Sequence, residues 1–355
     1  MSKRLAQLPR YIIFLPLILF VILLYGGILQ RFVPALSVGE SKYSAAQFNY
    51  WYYESYLNYV DEHYDELDEL GLDTNTALDK QQRESGQTWE DYFRVQAESK
   101  LQEVETLLSL ADDYGVSLRA DDLPEYAQRL ADAEAECEES GIDLEDYVRS
   151  YYGYSVTVAN YKKQLLRDVG ADAVRKAIED SLTPTEEDAV AYAAEHPDLE
   201  DYTTANIRVI WFSASTDRFT GEVGETQLSD MQSKVDLLLE RWNQNGGDEA
   251  AFGEMAERYS EHESAASGGS LTGVEKGQLT DSLDTWLFDE ERQAGDYTTS
   301  VTSDGVWVIY YCGAGDSKAV LTAKQLLLEQ RTEDYLAPLE QNFSVKERFG
   351  MQIAM

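Results

Sequence analysis

The chain has 355 residues, of which 43% are hydrophobic and 27% charged, so it is long enough for two or three domains that each bury a core. Its 66 acidic residues against 29 basic ones give a formal net charge of −37. That balance argues against a nucleic-acid-binding protein, which needs Lys and Arg to neutralise phosphates. A partner attracted by charge is expected to be basic. The alternative interpretation is that the acidic residues only keep the chain soluble.

The first predicted element is a membrane-spanning helix. Residues 11–29 form nineteen uncharged positions, and this length crosses a hydrocarbon core of about 30 Å. Lys3, Arg4 and Arg10 precede the run, which predicts a cytoplasmic tail of ten residues and a single-pass cell-membrane protein whose bulk is extracytoplasmic. A cleaved signal peptide is the alternative, with Ala35-Leu36-Ser37 as its cleavage site, although the run is longer than usual for such a peptide.

Residues 38–200 carry a helical pattern, with apolar and aromatic residues three and four positions apart. This aromatic stripe fits either an ordinary helix core or an adaptable surface for binding other chains. The helices predicted within it are 89–114, one that opens at Pro124, one near 143–152, and one that begins at Thr183-Pro184-Thr185-Glu186 and ends at His196-Pro197.

From residue 205 the period changes from helix to strand. "ANIRVIWFSA" predicts a buried strand, helices follow at about 225–244, after Asp248 and from Thr280, and two strands meet at the turn Ser303-Asp304-Gly305. Residues 203–314 are therefore predicted to form a small α+β domain with an antiparallel sheet. Residues 315–355 are predicted to be a C-terminal helix, from Ala319 to about residue 342, that can pack on the helical region.

The two cysteines, Cys137 and Cys312, are too few for a disulfide scaffold, and one bridge or two free thiols are both compatible with the sequence. None of the three histidines lies in a recognisable nucleophile motif, which disfavours a hydrolase.

The loop "SEHESAASGGSLTGVEKGQL", residues 260–279, is predicted to be one wall of a peptide groove. Gly268 and Gly269 allow positive φ and bring Leu271 into the sheet. The glycine pair does not precede a helix with a downstream Lys, as a phosphate cradle would require, and His262 has no ligands at metal spacing. Neither a metal nor a cofactor is expected.

Residues 252–311, "FGEMAERYSEHESAASGGSLTGVEKGQLTDSLDTWLFDEERQAGDYTTSVTSDGVWVIYY", resemble the second half of a parvulin-type peptidyl-prolyl isomerase domain. The resemblance rests on an F-x-x-x-A helix, a Y-S pair, a G-G-x-L turn, a G-Q step before a helix, and a final hairpin. The order of a membrane segment, a helical region, this module and a last helix is similar to exported foldases of the PrsA and SurA type. It implies an α+β module beside an all-α chaperone region, with unfolded or proline-containing exported polypeptides as partners.

The resemblance also implies a set of site residues. Leu271, Leu279 and Leu283 fall where the family has its proline pocket. Their spacing alone is equally typical of ordinary core residues. The two facing histidines of the family are replaced by Val209 and Trp307. His262 takes the place of a Cys or Asp and is the one catalytic candidate, with a solvated loop histidine as the alternative. Ser264 and Ser303 are further polar candidates.

Two functions follow as hypotheses. The first is a membrane-anchored extracytoplasmic foldase that isomerises prolyl bonds, which are slow to interconvert without a catalyst. The second is a holdase chaperone whose catalysis has lapsed with the loss of both histidines. A structural envelope protein with a vestigial module is a third class, and no feature of the chain favours it.

Overall fold

The structure is a computed structural model that describes residues 27–214 and 224–354. The helices of these residues are, in chain order, α1 Ala45–Glu62, α2 Trp89–Ser109, α3 Pro124–Ser140, α4 Leu144–Tyr152, α5 Val158–Leu182, α6 Glu186–Glu195, α7 Glu225–Gln244, α8 Glu249–Tyr259, α9 Asp281–Leu287 and α10 Lys318–Glu340. The strands are β1 Pro34–Val38, β2 Ser41–Ser44, β3 Thr203–Ser213, β4 Ser270–Val274, β5 Tyr297–Thr302, β6 Gly305–Ser317 and β7 Val345–Glu347.

The described residues form two compact units. The first contains residues up to Thr183 and those from Gln330 onward, and the second contains Pro184–Glu329. The second unit therefore includes the predicted module of residues 203–314 together with α6 and the start of α10. The chain returns to the first unit through the later part of α10, where Gln102 donates a hydrogen bond to the backbone carbonyl of Glu340.

Capping residues define several helices of the first unit. Ser44 and Gln47 form a capping box at α1, and the side chains of Thr88, Asp143 and Thr157 each accept a backbone N–H three residues later. Each cap satisfies a donor that the first turn leaves free. The aromatic stripe of α1 is mostly core, because Phe48, Tyr50, Trp51 and Tyr52 are buried in the main cluster of this unit.

The prediction that residues 38–200 are purely helical is wrong at their amino-terminal end. β1 lies between β2 and β7 in a three-stranded antiparallel sheet, with Leu36 opposite both Tyr43 and Glu347. The sequence does not reveal these strands, because each is only three to five residues long and the partner strand β7 lies some 300 positions away. The predicted C-terminal helix is followed by β7 and by a short 3₁₀ helix, Phe349–Ile353.

Residues 11–26 of the predicted membrane span, residues 11–29, lie outside the described residues. Its last three positions form a turn and the start of a short 3₁₀ helix, Leu29–Arg31. Within the ranges that the structure describes, no helix combines the length and the apolar character needed to cross a bilayer.

Two predicted helix boundaries are corrected by the structure. The helix predicted at 89–114 ends at Ser109, and turns continue to Gly115, whose φ is +67°. α6 is capped by Thr185 with Asp188 as its capping-box partner, two residues later than the start read from Thr183. The sequence also left α5 undelimited, although it is a helix of 25 residues.

The second unit is built on a four-stranded antiparallel sheet in the order β4-β3-β6-β5. Because side chains alternate along a strand, β3 and β6 contribute residues to both faces. One face packs on α7 and α8 through Ile210, Val308 and Tyr310, and the other packs on α9 through Ile207, Val209 and Ile309. The hairpin predicted at Ser303-Asp304-Gly305 joins β5 to β6, as expected.

Both cysteines are free thiols in the structure, so of the two alternatives left open by the sequence the unbridged one is found.

Candidate functional site

One face of the second unit's sheet brings five of the eight predicted site residues together. Val209 from β3, Leu271 from β4, Leu283 from α9 and Trp307 from β6 belong to one apolar cluster, which Leu279 joins from the loop before α9. These residues come from four separate elements and one loop, and the sheet and α9 bring them into one cluster. The cluster also contains aromatic residues that the sequence analysis did not select, namely Trp286, Phe288 and Tyr311.

Exposure divides the cluster into a floor and a surface. Val209 is 0% exposed and Leu283 is 3% exposed, so a ligand cannot reach them without a rearrangement. Leu271, Leu279 and Trp307 are only partly buried and present apolar area to solvent. Those three are the predicted residues that can contact a ligand directly, and Val209 and Leu283 support them from below.

The strand register places a second tryptophan beside Trp307. Trp307 on β6 lies opposite Trp211 on β3, with ring centroids 5.7 Å apart and planes 32° apart, whereas Val209 lies opposite Ile309. The two predicted histidine-equivalent positions, Val209 and Trp307, are thus diagonal neighbours on one face. Trp211 was not among the residues predicted from the sequence, although its alternation with Ile207 and Val209 places it on this face.

His262 lies at the edge of the same aromatic surface. Its ring meets the ring of Trp307 at 67°, with centroids 5.6 Å apart. The backbone N–H of Ser264 donates to Nδ1 of His262 at 3.1 Å, and Oγ of Ser264 is 2.8 Å from the same nitrogen. Because a backbone N–H only donates, Nδ1 is the acceptor and Nε2 carries the proton of the neutral ring. His262 therefore offers a single N–H donor beside Trp307.

The acidic serine cluster around His262 fastens the loop to β3. Glu261 N–H donates to the carbonyl of Trp211 at 2.8 Å, and the N–H of Trp211 donates to Oγ of Ser260 at 3.1 Å. The Glu261 carboxylate accepts hydrogen bonds from the backbone and the hydroxyl of Ser213. These contacts continue the pairing of β3 beyond β4 and hold His262 in place.

The glycine pair brings the loop into close contact with β3. Gly268 and Gly269 have φ of +65° and +70°, as predicted, and Leu271 lies opposite Ile207 in the sheet. The N–H of Val209 donates a hydrogen bond to the carbonyl oxygen of Gly269 at 2.8 Å. A Cβ added to Gly269 would lie 2.2 Å from the carbonyl oxygen of Val209. The pair therefore allows a close backbone approach that no other residue permits.

Ser303 is not part of this surface. It lies in the exposed two-residue turn between β5 and β6, beyond the strand end that carries Trp307. Ser264 is near the site but is engaged with His262. Across the described ranges, no group of three or more His, Cys, Asp or Glu side chains is arranged to hold a metal ion.

Residues 218–314 match the sequence model of the family described as the rotamase, or PPIC-type PPIase, domain. This part of the chain is similar to PPIC-type PPIase domains. The match covers α7 to β6 and includes Leu271, Leu279, Leu283, Trp307 and His262, while β3 with Val209 precedes it. The resemblance of residues 252–311 to a parvulin-type isomerase is thereby confirmed.

Solved structures that match much of the chain include those of PrsA and of SurA-like chaperones. PrsA of Bacillus subtilis is 18% identical, with 74% of this chain and 88% of that chain covered and a TM-score of 0.37. The foldase protein PrsA of Streptococcus pneumoniae is 14% identical, with 78% and 96% covered and a TM-score of 0.34. A SurA-like chaperone of Campylobacter jejuni is 9% identical, with 89% and 99% covered and a TM-score of 0.31. No curated protein sequence matches the chain.

Proposed function

We propose that the chain is a membrane-anchored, extracytoplasmic foldase whose PPIC-type domain binds proline-containing segments of unfolded exported proteins and isomerises their prolyl bonds. The observation that carries this proposal is the partly exposed apolar surface of Leu271, Leu279 and Trp307 in the domain that matches the isomerase family. The anchor and the extracytoplasmic location rest on the uncharged run of residues 11–29 and the basic residues before it.

Prolyl isomerisation needs no nucleophile, because no covalent bond forms or breaks. The barrier of roughly 18–20 kcal/mol comes from amide resonance, and a catalyst has to favour the twisted amide over the planar one. An apolar slot fits the proline ring, and the Nε2–H of His262 is a donor for the twisted amide or its carbonyl oxygen. A rate gain of about 10⁴ corresponds to about 5.5 kcal/mol of preferential stabilisation.

A holdase without catalysis is the second candidate, and the Trp211–Trp307 pair favours it. An indole occupies one histidine-equivalent position and a fully buried valine the other, so the floor has apolar area where the resemblance implies two polar groups. Aromatic area of this kind binds extended apolar chains through contact and desolvation. The first unit, whose tyrosine-rich stripe is mostly buried, offers less free surface for this role than its sequence suggests.

The deciding experiment is a protease-free isomerisation assay with a panel of short X-Pro peptides, using the chain from residue 27 onward. If the wild-type chain accelerates isomerisation and His262→Ala reduces that acceleration, the isomerase function is supported. No acceleration, together with delayed aggregation of an unfolded exported protein, supports the holdase. Trp307→His is the variant that tests recovery of catalysis, because Val209→His would bury an imidazole beneath the loop and destabilise the sheet.

The absence of both acceleration and protection from aggregation would contradict the foldase proposal in either form. Trp307→Ala serves as the internal check, because it removes exposed apolar area from the site and leaves Val209 and Leu283 in place. It should weaken peptide binding whether or not catalysis is present.

A further inference from the structure

Among the described residues, no strand pairs with the outer side of β5 in the second unit's sheet. It is the outermost strand in the order β4-β3-β6-β5, and its six residues pair with β6 without a bulge. Its sequence, YTTSVT, has no charge and no proline and is rich in residues that favour strands. Edge strands are usually blunted by Lys, Pro or bulges, because their free backbone groups pair readily with another chain.

The register shows which backbone groups of β5 face outward. Thr302 and Gly305 flank a two-residue turn and form a hydrogen-bonded pair, and such pairs alternate with pairs whose N–H and C=O point away from the partner strand. Thr299 and Val301 are in the second class. Among the described residues, β5 from Thr298 to Thr302 makes no backbone–backbone hydrogen bond other than those to β6.

A groove runs beside this edge. Its volume is about 760 Å³, and it lies between α7 and β5, with Leu239 and Tyr297 contributing apolar area. Asp236 and Glu240 of α7 also line it. Their hydrogen-bond partners are the amides of Gln232 and Gln244, and no Lys or Arg of the described residues lies within ion-pair distance of either carboxylate. The groove is therefore acidic and without a cationic partner of its own.

We propose that β5 accepts an extended, basic segment of a client polypeptide as a fifth strand of the sheet. The client backbone pairs with the outward groups of Thr299 and Val301, and alternate side chains of the added strand enter the groove, where Lys or Arg meets Asp236 and Glu240. Strand addition of this kind draws affinity from backbone hydrogen bonds and specificity from alternate side chains. A second copy of this chain is a poor occupant, because two chains of net charge −37 repel each other.

This surface is separate from the apolar surface of Leu271, Leu279 and Trp307. The groove side chains of β5 lie on the face of the sheet that packs on α7, with Tyr297 against Trp242, whereas Leu271 and Trp307 are on the other face. Pairing needs no proline and is weakened by one within the paired stretch, since proline has no N–H to donate. The two sites can therefore be tested with different peptides.

The test measures binding of a fluorescent, proline-free peptide of alternating lysine and valine to the chain from residue 27 onward. Thr299→Pro removes an outward N–H and leaves the pairing of β5 with β6, so binding should weaken at least tenfold. Thr299→Ala is the matched control, because it keeps the N–H, and it should weaken binding far less than Thr299→Pro. The same peptide with N-methyl groups on alternate residues should also bind at least tenfold more weakly to the wild type.

Equal binding of the methylated and unmethylated peptides would overturn the proposal, and this comparison does not depend on any variant being folded. Equal binding of a glutamate–valine peptide would overturn the charge assignment. Sedimentation would overturn the choice of a client if the wild type is a dimer and Thr299→Pro is a monomer, because the occupant of β5 would then be a second copy of this chain. Isomerisation of X-Pro peptides should be unchanged by Thr299→Pro, so a failure here is distinguishable from a failure of the proposed function.

Discussion

Trp211 and Trp307 face each other across β3 and β6 with ring centroids 5.7 Å apart, and the ring centroid of His262 lies 5.6 Å from that of Trp307. This arrangement makes the candidate site an aromatic surface with the imidazole of His262 at its edge. Binding there is expected to depend on buried apolar area more than on polar contacts.

Truncating Trp307 should reduce peptide affinity. Trp307→Ala removes a large, partly exposed aromatic side chain from the site, and losses of about 2 kcal/mol, or about thirtyfold in Kd, are common for such residues. Fluorescence anisotropy with a labelled X-Pro peptide measures the change. Phe349→Ala, at a side chain that is 70% exposed in the first unit, is the control and should leave affinity unaltered. Equal losses in both variants would show that the effect is not specific to the site.

Two substitutions of His262 separate catalysis from loop structure. In His262→Asn the side-chain oxygen can still accept the Ser264 N–H, so the loop should keep its turn, but the imidazole donor beside Trp307 is lost. His262→Ala loses both contacts. If the Nε2–H assists isomerisation as a hydrogen-bond donor, both variants should lower kcat to a similar degree, by about 10²-fold. Retention of the wild-type rate by His262→Asn would show that His262 only shapes the loop.

Gly269→Ala should destabilise the second unit strongly. The added Cβ would lie 2.2 Å from the Val209 carbonyl oxygen, and the position also requires a φ of +70°. Gly277→Ala is the matched control, because its φ is +85° but no atom lies within 4 Å of the added carbon. The control should cost about 1–2 kcal/mol from the backbone conformation alone, and Gly269→Ala should cost more. Urea unfolding followed by tryptophan fluorescence measures both, and equal costs would mean that the loop moves away from β3 freely.

The stability of the first unit should fall as pH rises from about 4.5 to above 7. Burial, followed by the nearby Glu347 carboxylate, raises the pKa of Glu98 to about 7, and burial raises the pKa of Asp168 to about 7 as well. In that pH range the folded chain keeps protons that the unfolded chain has lost, so deprotonation favours unfolding. The stabilisation is complete below the ordinary carboxyl pKa and is lost as pH passes the folded value.

Glu98→Gln isolates one contribution to this dependence. The variant should match the wild type near pH 4 and have a higher urea midpoint than the wild type at pH 8. Glu139→Gln, at an exposed position of α3, is the control and should shift neither midpoint. A wild-type chain that remains more stable than Glu98→Gln at pH 8 would contradict the assignment.

Removal of residues 1–37, as cleavage after Ala35-Leu36-Ser37 would cause, should unfold or greatly destabilise the first unit. Ala35 and Leu36 are 0% exposed in β1, which is the central strand between β2 and β7. A chain that begins at residue 27 keeps β1 and should fold. Circular dichroism spectra and thermal melts measure the folding and the melting temperature of the two truncated chains. Equal melting temperatures would show that β1 is dispensable.

Much of the second unit follows from local sequence. β3 carries a β-branched and aromatic run, Asp248 caps α8, and Ser303-Asp304 closes a two-residue hairpin, so neighbouring residues alone define these elements. The glycine pair likewise predicts its own positive φ. The apolar set of Leu271, Leu279, Leu283 and Trp307 was found through family resemblance, because their spacing does not distinguish a site from a core.

Tertiary structure decided the rest, because the deciding contacts join residues far apart in the chain. The register of β3 against β6 brings Trp211 to Trp307, and the loop after α8 adds His262 to that pair. The sheet of β1 and β2 gains its third strand only because Val345–Glu347 returns to Leu36. Burial separated Val209 and Leu283 from the residues that a ligand can reach, and burial is a property of the packed chain that no local pattern contains.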